Sequence, residues 1–334
     1  MTAEALRPLF ARIAVFVAIL IVIAGTFYHF APAYLSERNI LAILRQMSVN
    51  GIVSIGLTFV IVLNRFDLSL AGVASLCAMT LGFLLAETAS LYPALAGAIA
   101  MGMFCGALSG LLVGRFRLPD VVTTIAIGSI AYGMAFIYSG GAHFSSNFFS
   151  TGMLDINDGK VLFIPLPVFV LLVAATAAFV VLHLSRYGQS FYAVGENPLS
   201  ARLSGVPVKL YVAAGFAICG ALVGAAMILN VAAVGATYVN TGNRILLPAY
   251  TAVYLGAALF GSATIPATLA GVLLMGMLLN GFTILSVPYY YSDAVVSAIL
   301  IAAIAIFSPQ TLTWLQSALR LATAKPQPAR RSGP

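Results

Sequence analysis

Apolar runs long enough to cross a bilayer recur from one end of this chain to the other, and that recurrence decides its fold class. A helix needs about 20 consecutive apolar residues to span the hydrocarbon, where every backbone N–H and C=O must be paired inside the protein. Ten segments carry the pattern: 13–31, 44–63, 68–86, 93–114, 121–139, 163–184, 210–231, 248–262, 265–285 and 293–315. The eighth is short for a span and is expected to be tilted, broken or shielded by its neighbours. Only 7% of the residues are charged, against about 25% in a soluble domain, and no stretch could form a separate soluble domain. The expectation is an all-α polytopic membrane domain over 1–319 with about ten transmembrane helices. A basic tail, 320–334, is expected to be disordered, cytoplasmic and held near anionic headgroups.

The net charge of +7 does not indicate a nucleic-acid surface, because the basic residues cluster beside the spans. With the N-terminus inside and the spans alternating, Arg7, Arg12, Arg65, Arg115, Arg117, Arg186, Arg202, Lys209 and four tail residues face the cytoplasm. Only Arg38, Arg45, Lys160 and Arg244 face outward. Twelve against four follows the positive-inside rule and predicts an even number of spans with both termini cytoplasmic. Ala31-Pro32-Ala33 imitates a leader cleavage site, but the run before it is longer than a leader's apolar core. The first run is therefore expected to be a retained helix. Cys77, Cys105 and Cys219 all lie in apolar runs with no metal-ligand spacing, and read as small packing residues.

Small residues mark the close helix crossings. Ala94, Ala98, Gly102, Gly106, Gly110 and Gly114 recur every four residues and form one smooth stripe. A second ridge runs through Ala213, Ala217, Ala221 and Ala225, with Gly220 and Gly224 beside it. Both suit internal helix packing, with subunit dimerisation as the other reading. The outer connection 139–162 is polar and suits either a docking surface or a solvated link.

One polar stretch stands out, Arg186 to Lys209. Asn197-Pro198 reads as a helix start, since Asn caps free N–H groups and Pro at the first position loses no bond it needed. Gly205 and Pro207 read as the stop. Leu199 and Leu203, four apart, share one face of the short helix between. So short a helix needs a surface to dock on. That surface is either a soluble motor or the lipid headgroups.

Nothing points to catalysis. His29, His143 and His183 are scattered, and no G-x-S-x-G, H-E-x-x-H or phosphate-binding loop occurs. No cofactor is expected on this chain. Asp67 is expected to cap the third segment, with Arg65 neutralising it. Asn50, Thr58, Asp67, Asn280 and Thr283 are the candidates for lining a solute path, and Asn280 should find a buried hydrogen-bond partner. Hydroxyls and amides with few charges suit a neutral, hydroxyl-rich solute. An ion-coupled secondary carrier is the alternative, though such carriers place carboxylates in mid-span and this chain has none there.

Three stretches carry a family likeness. Gly56-Leu-Thr-Phe-Val with Asp67-Leu-Ser-Leu-Ala-Gly72 is the first. Tyr192-Ala-Val-Gly-Glu-Asn-Pro198 with Ala201-Arg-Leu-Ser-Gly205 is the second and most specific. Leu279-Asn-Gly281 is the third. Over about 40–308 the chain resembles the permease subunits of bacterial ABC importers of the ribose, xylose and arabinose type. It departs from the family pattern at Asn64-Arg65-Phe66, Leu279 and Ala263-Thr-Ile-Pro266. The resemblance implies a ten-helix permease fold of the vitamin B12 importer kind in the bacterial inner membrane. It implies three protein partners: an ABC ATPase that hydrolyses the ATP, a periplasmic solute-binding protein and a second permease. It also implies an ATPase-coupling role for Gly195, Glu196, Asn197, Pro198, Ala201, Arg202, Leu203 and Gly205.

Overall fold

A computed structural model describes residues 3–307, with side chains from 10 to 306. The expected tail over 320–334 and the end of the tenth segment lie outside the described residues. The long helices are α1 (Ala3–Phe30), α2 (Glu37–Val62), α3 (Leu70–Thr88), α4 (Leu91–Arg115) and α5 (Asp120–Ser139). A connection with a single helical turn, α6 (Asp155–Asp158), and a two-residue hairpin, β1 (Lys160–Val161) with β2 (Ile164–Pro165), leads to α7 (Leu166–Phe179). A π-turn, Val180–Leu184, ends α7. Then come α8 (Arg186–Glu196), α9 (Pro198–Leu203), α10 (Val208–Val234), α11 (Leu246–Phe260), α12 (Ile265–Ile284) and α13 (Tyr289–Phe307). The all-α polytopic architecture read from the sequence is the one observed. Nine of the described helices are long and apolar enough to cross a membrane. The eighth predicted segment is α11, whose 15 residues reach about 22 Å against a hydrocarbon thickness of about 30 Å.

The two small-residue ridges face each other. A Cβ on Gly102 would overlap the Gly220 carbonyl, one on Gly106 the Phe216 carbonyl, and one on Gly110 would come within 2.7 Å of the Ala213 Cα. The α4–α10 contact is the most extensive in the bundle. With lipid as solvent, apolar side chains gain little by leaving it, so helices associate by packing backbones closely. The ridges serve that internal contact. Two other glycines do the same in matched settings. Gly72 of Ser69-Leu-Ala-Gly-Val73 is pressed on Gly128, and Gly271 of Thr268-Leu-Ala-Gly-Val272 on Ala252 and Gly256.

The connections sort into two groups, one at each end of the bundle. At one end Gly195 abuts the Val62 carbonyl, Phe66 N–H donates to Asp120 (3.0 Å), and the Tyr192 hydroxyl donates to the Ala263 carbonyl (3.2 Å). At the other, Asn147 donates to the Leu85 (3.0 Å) and Ala86 (3.2 Å) carbonyls, Phe144 bridges Thr237, and Arg45 pairs with Asp158 at 3.6 Å. The 139–162 connection is thus more than a solvated link: its own Phe148 and Met153 are buried.

Candidate functional site

Two polar segments interrupt the bundle. The first is 185–207. Ser185 caps α8 through an N–H bond from Tyr187 (3.2 Å), and Asn197 caps α9, its Oδ1 accepting from Leu199 (3.1 Å) and Ser200 (3.0 Å). Pro198 occupies the first helical position, as its fixed φ favours. At the other end Val206 N–H donates to the Ala201 carbonyl and Gly205 N–H to that of Arg202, the paired bonds of a Schellman stop. Gly205 takes φ +84°, where a side chain would be strained. The stub therefore satisfies its own backbone.

Its side chains are another matter. Ala201 faces the protein at 4% exposure, while Leu199 and Leu203 stand out at 66% and 80%. Gly195 explains the position of the unit. A side chain there would overlap the Val62 carbonyl, so α8 sits directly on the C-terminal end of α2. Glu196 is exposed beside it. Arg202 turns toward a cleft of about 350 Å³ that Arg65, Arg117 and Lys209 also line. None of the four side chains has a hydrogen-bond or ion-pair partner among the described residues. An acidic counterpart is what such a convergence of charge attracts.

The second segment, 235–245, was not singled out by sequence. After Gly235 stops α10 at φ +77°, the chain turns back into the bundle along α3. Thr237 lies against Gly82, and Gly242 against Ala71 and Ser75, whose hydroxyl accepts from Gly242 N–H at 3.1 Å. About 10 Å or more of α3 separates those levels at 1.5 Å per residue. The lower level is near the middle of the bundle, because neighbouring Cys77 touches the Gly102 position at the midpoint of α4. Hence α11 starts part-way across, and its shortness is explained. Apart from one 3-10 turn, Thr241–Arg244, the segment is irregular, and such backbone at this depth is tolerated only where it is buried in protein or lines an aqueous cavity. Both conditions hold here. Thr237, Val239, Gly242 and Ile245 are buried, while Tyr238, Asn240, Asn243 and Arg244 are exposed. A cavity of about 440 Å³ lies among Asn230, Tyr238, Asn240, Thr241, Asn243 and Arg244. Arg244 lies over the Tyr289 ring, 4.3 Å from its centroid.

The five path candidates do not come together. Thr58 is buried, donating to the Ser54 carbonyl (2.8 Å) with its hydroxyl 2.7 Å from that of Thr268. Asn280 is buried in a reciprocal amide pair with Asn39 (2.9 and 3.2 Å), the partner expected for it. Asp67 is buried and accepts from the N–H (3.0 Å) and hydroxyl (2.5 Å) of Ser69, while Tyr250 holds its backbone. Burial pushes the Asp67 carboxyl above its ordinary range, and the Ser69 bonds draw it partly back. The expected neutralisation by Arg65 is not made. Arg65 points into the basic cleft, and serine replaces it because a short local hydroxyl reaches the buried carboxylate without burying a guanidinium. Asn50 is half-buried, and Thr283 is exposed but back-bonded to the Leu279 carbonyl (2.9 Å). A pointer to 235–245 did exist in the sequence. A short apolar segment preceded by Gly235, Asn240, Gly242 and Asn243 marks a broken span, and broken spans line binding sites.

An all-α bundle with close glycine crossings, a broken span and an outlying capped stub defines a polytopic membrane protein. Residues 39–304 match the family described as branched-chain amino acid transport system / permease component, and the chain belongs to it. It is 30% identical over 290 residues to the ribose import permease protein RbsC of Escherichia coli (strain K12), covering 86% of this chain and 89% of that protein. It is 28% identical over 290 residues to the L-arabinose ABC transporter permease protein AraH of Azospirillum brasilense, covering 86% and 85%. With the D-allose transport system permease protein AlsC of Escherichia coli (strain K12) the identity is 30% over 292 residues, covering 86% and 89%. No solved structure matches the chain.

Proposed function

We propose that this chain is the permease subunit of an ATP-driven importer for a sugar or sugar-like solute. It forms the translocation path with a second permease, receives the solute from a periplasmic binding protein, and couples to a separate ABC ATPase through α9. Both termini are cytoplasmic in this reading. ATP is hydrolysed on the partner, and this chain needs no cofactor of its own.

One observation carries the coupling role: a fully capped stub whose two leucines face away from the protein. Capping and close seating of Gly195 on Val62 make it rigid, so a push on α9 is delivered to the end of α2. Four cations gather behind the stub, where an acidic protein surface would meet them. The relatives named for ribose, L-arabinose and D-allose support the solute class. Of the five path candidates we retain Asn50, half-buried on the same face of α2 as exposed Gln46.

The test is accumulation of solute by proteoliposomes holding the permease, its ATPase and its binding protein, with and without ATP. Uptake should require all three proteins and nucleotide. Arg202→Glu should abolish uptake with membrane insertion intact, and the purified permease alone should hydrolyse no ATP. Full uptake by the Glu variant, or uptake driven by an ion gradient without ATP, would overturn the reading.

A further inference from the structure

We infer that the re-entrant segment 235–245, together with Asn230, forms a solute-contact site inside the membrane for a neutral polyhydroxylated molecule. The inference rests on the importer reading and adds to it a place and a chemistry. The argument starts from what is left unpaired. Among the described residues the side chains of Asn230, Asn240 and Asn243 make no hydrogen bond to the protein, and all three line the same 440 Å³ cavity. That cavity runs from Asn230, one turn from the outer end of α10, to the level of Gly242 near the bundle's middle. Polar groups at that depth cannot face hydrocarbon, because each unpaired amide costs several kcal/mol there. They face water or a solute.

The lining selects the chemistry. An amide offers two N–H donors and a carbonyl acceptor, which matches the mixed donor and acceptor character of a hydroxyl. Three of them, spread over one cavity, suit several hydroxyls on one molecule. No carboxylate lines the cavity, so a cation gains nothing. Its single cation, Arg244, lies over the Tyr289 ring, and the three amides outnumber it in the lining. Tyr238 adds an exposed aromatic face, stacked on His143 at 5.7 Å between centroids, against which a sugar ring can lie. The only aliphatic side chain in the lining, Val234, is too little for the pocket that a branched apolar amino acid would need. The bound state has to be weak, since three neutral hydrogen bonds are individually modest and a transported solute must also leave.

The experiment uses the complete importer in proteoliposomes, with D-ribose, L-arabinose and D-allose as probes and L-leucine as the counter-probe. Asn230→Ala and Asn243→Ala should each lower the number of sugar molecules moved per ATP hydrolysed, about tenfold when combined. Asn243→Ser, which keeps a donor and acceptor, should lose less. A second measurement does not depend on those variants folding well. Cys77, Cys105 and Cys219 are all buried, so Asn243→Cys introduces one accessible thiol. A membrane-impermeant thiol reagent added outside should label it, and the transported sugar, supplied with the binding protein, should slow the labelling. If a sugar is carried and the combined variant carries it with the wild-type ratio, the site is wrong and the importer reading stands. If uptake and binding-protein-stimulated hydrolysis fall together, the cavity docks the binding protein and the inference is overturned. If L-leucine is carried and no sugar is, both readings fall.

Discussion

The segments 185–207 and 235–245 make an instructive pair. Each interrupts an apolar bundle, and each has its backbone held in place. In the first, Asn197 and the Schellman bonds at Gly205 close both helix ends locally, within α9 itself. In the second, local turn bonds between Tyr238 and Thr241 are joined by bonds from elsewhere in the chain: Ser75 accepts from Gly242, and Phe144 bridges Thr237. What remains unpaired differs in kind. The stub leaves two leucines bare, and the re-entrant segment leaves amides bare. Bare apolar side chains outside lipid call for a protein surface, and bare amides inside it call for water or a polar solute. The unpaired residue types differ between a segment of 23 residues and one of 11, and the partners proposed for the two differ accordingly.

The comparison can be broken most severely at Gly242. A valine there would overlap the Ala71 carbonyl, so Gly242→Val should push the re-entrant segment out of the bundle. The expected loss is about 3 kcal/mol or more, read as a lower thermal midpoint in detergent together with absent uptake. If Gly242→Val is as stable as the wild type, the packing described for 235–245 is wrong. Next comes Leu199→Asp, which puts a carboxylate where an apolar contact is proposed. Affinity of the purified permease for its ATPase should drop about 30-fold or more, by titration, with the thermal midpoint unmoved because Leu199 touches little of its own chain. A wild-type affinity for Leu199→Asp, with coupling lost elsewhere, would move the interface away from α9.

Smaller effects sharpen the contrast between local and remote closure. Asp67→Ala removes the acceptor for Ser69 and should cost about 1–3 kcal/mol of stability, whereas Asp67→Asn, which keeps an oxygen there, should cost less. An equal loss for both would mean that the charge itself is required. Asn197→Ala should cost about 1 kcal/mol of local helix stability and Asn197→Gly a few tenths. Hydrogen exchange at Leu199 and Ser200 is the direct readout, and it should change with no change at Gly242. Coupled changes at both would show that the two segments are one mechanical unit.

The stub was legible in the sequence because its signals are local. Asn before Pro, leucines four apart and Gly at the stop act within a single turn, and the structure reproduces each. The ten apolar segments were legible for the same reason, since lipid leaves a long apolar run no option but a helix. The four-residue stripe on α4 announced a close crossing, but its partner emerged only when α10 was seen antiparallel to it.

By itself, then, the sequence determined an all-α membrane bundle, the short capped helix at one end and the family to which the chain belongs. Tertiary structure alone decided that Asp67 answers to Ser69 and not to Arg65, that Asn280 pairs with Asn39, and that 235–245 folds inward. The physical reason is the range of the forces involved. Capping, turn chemistry and burial in lipid act on neighbouring residues. A hydrogen bond between α3 and a segment 167 positions away depends on how every helix between them has packed.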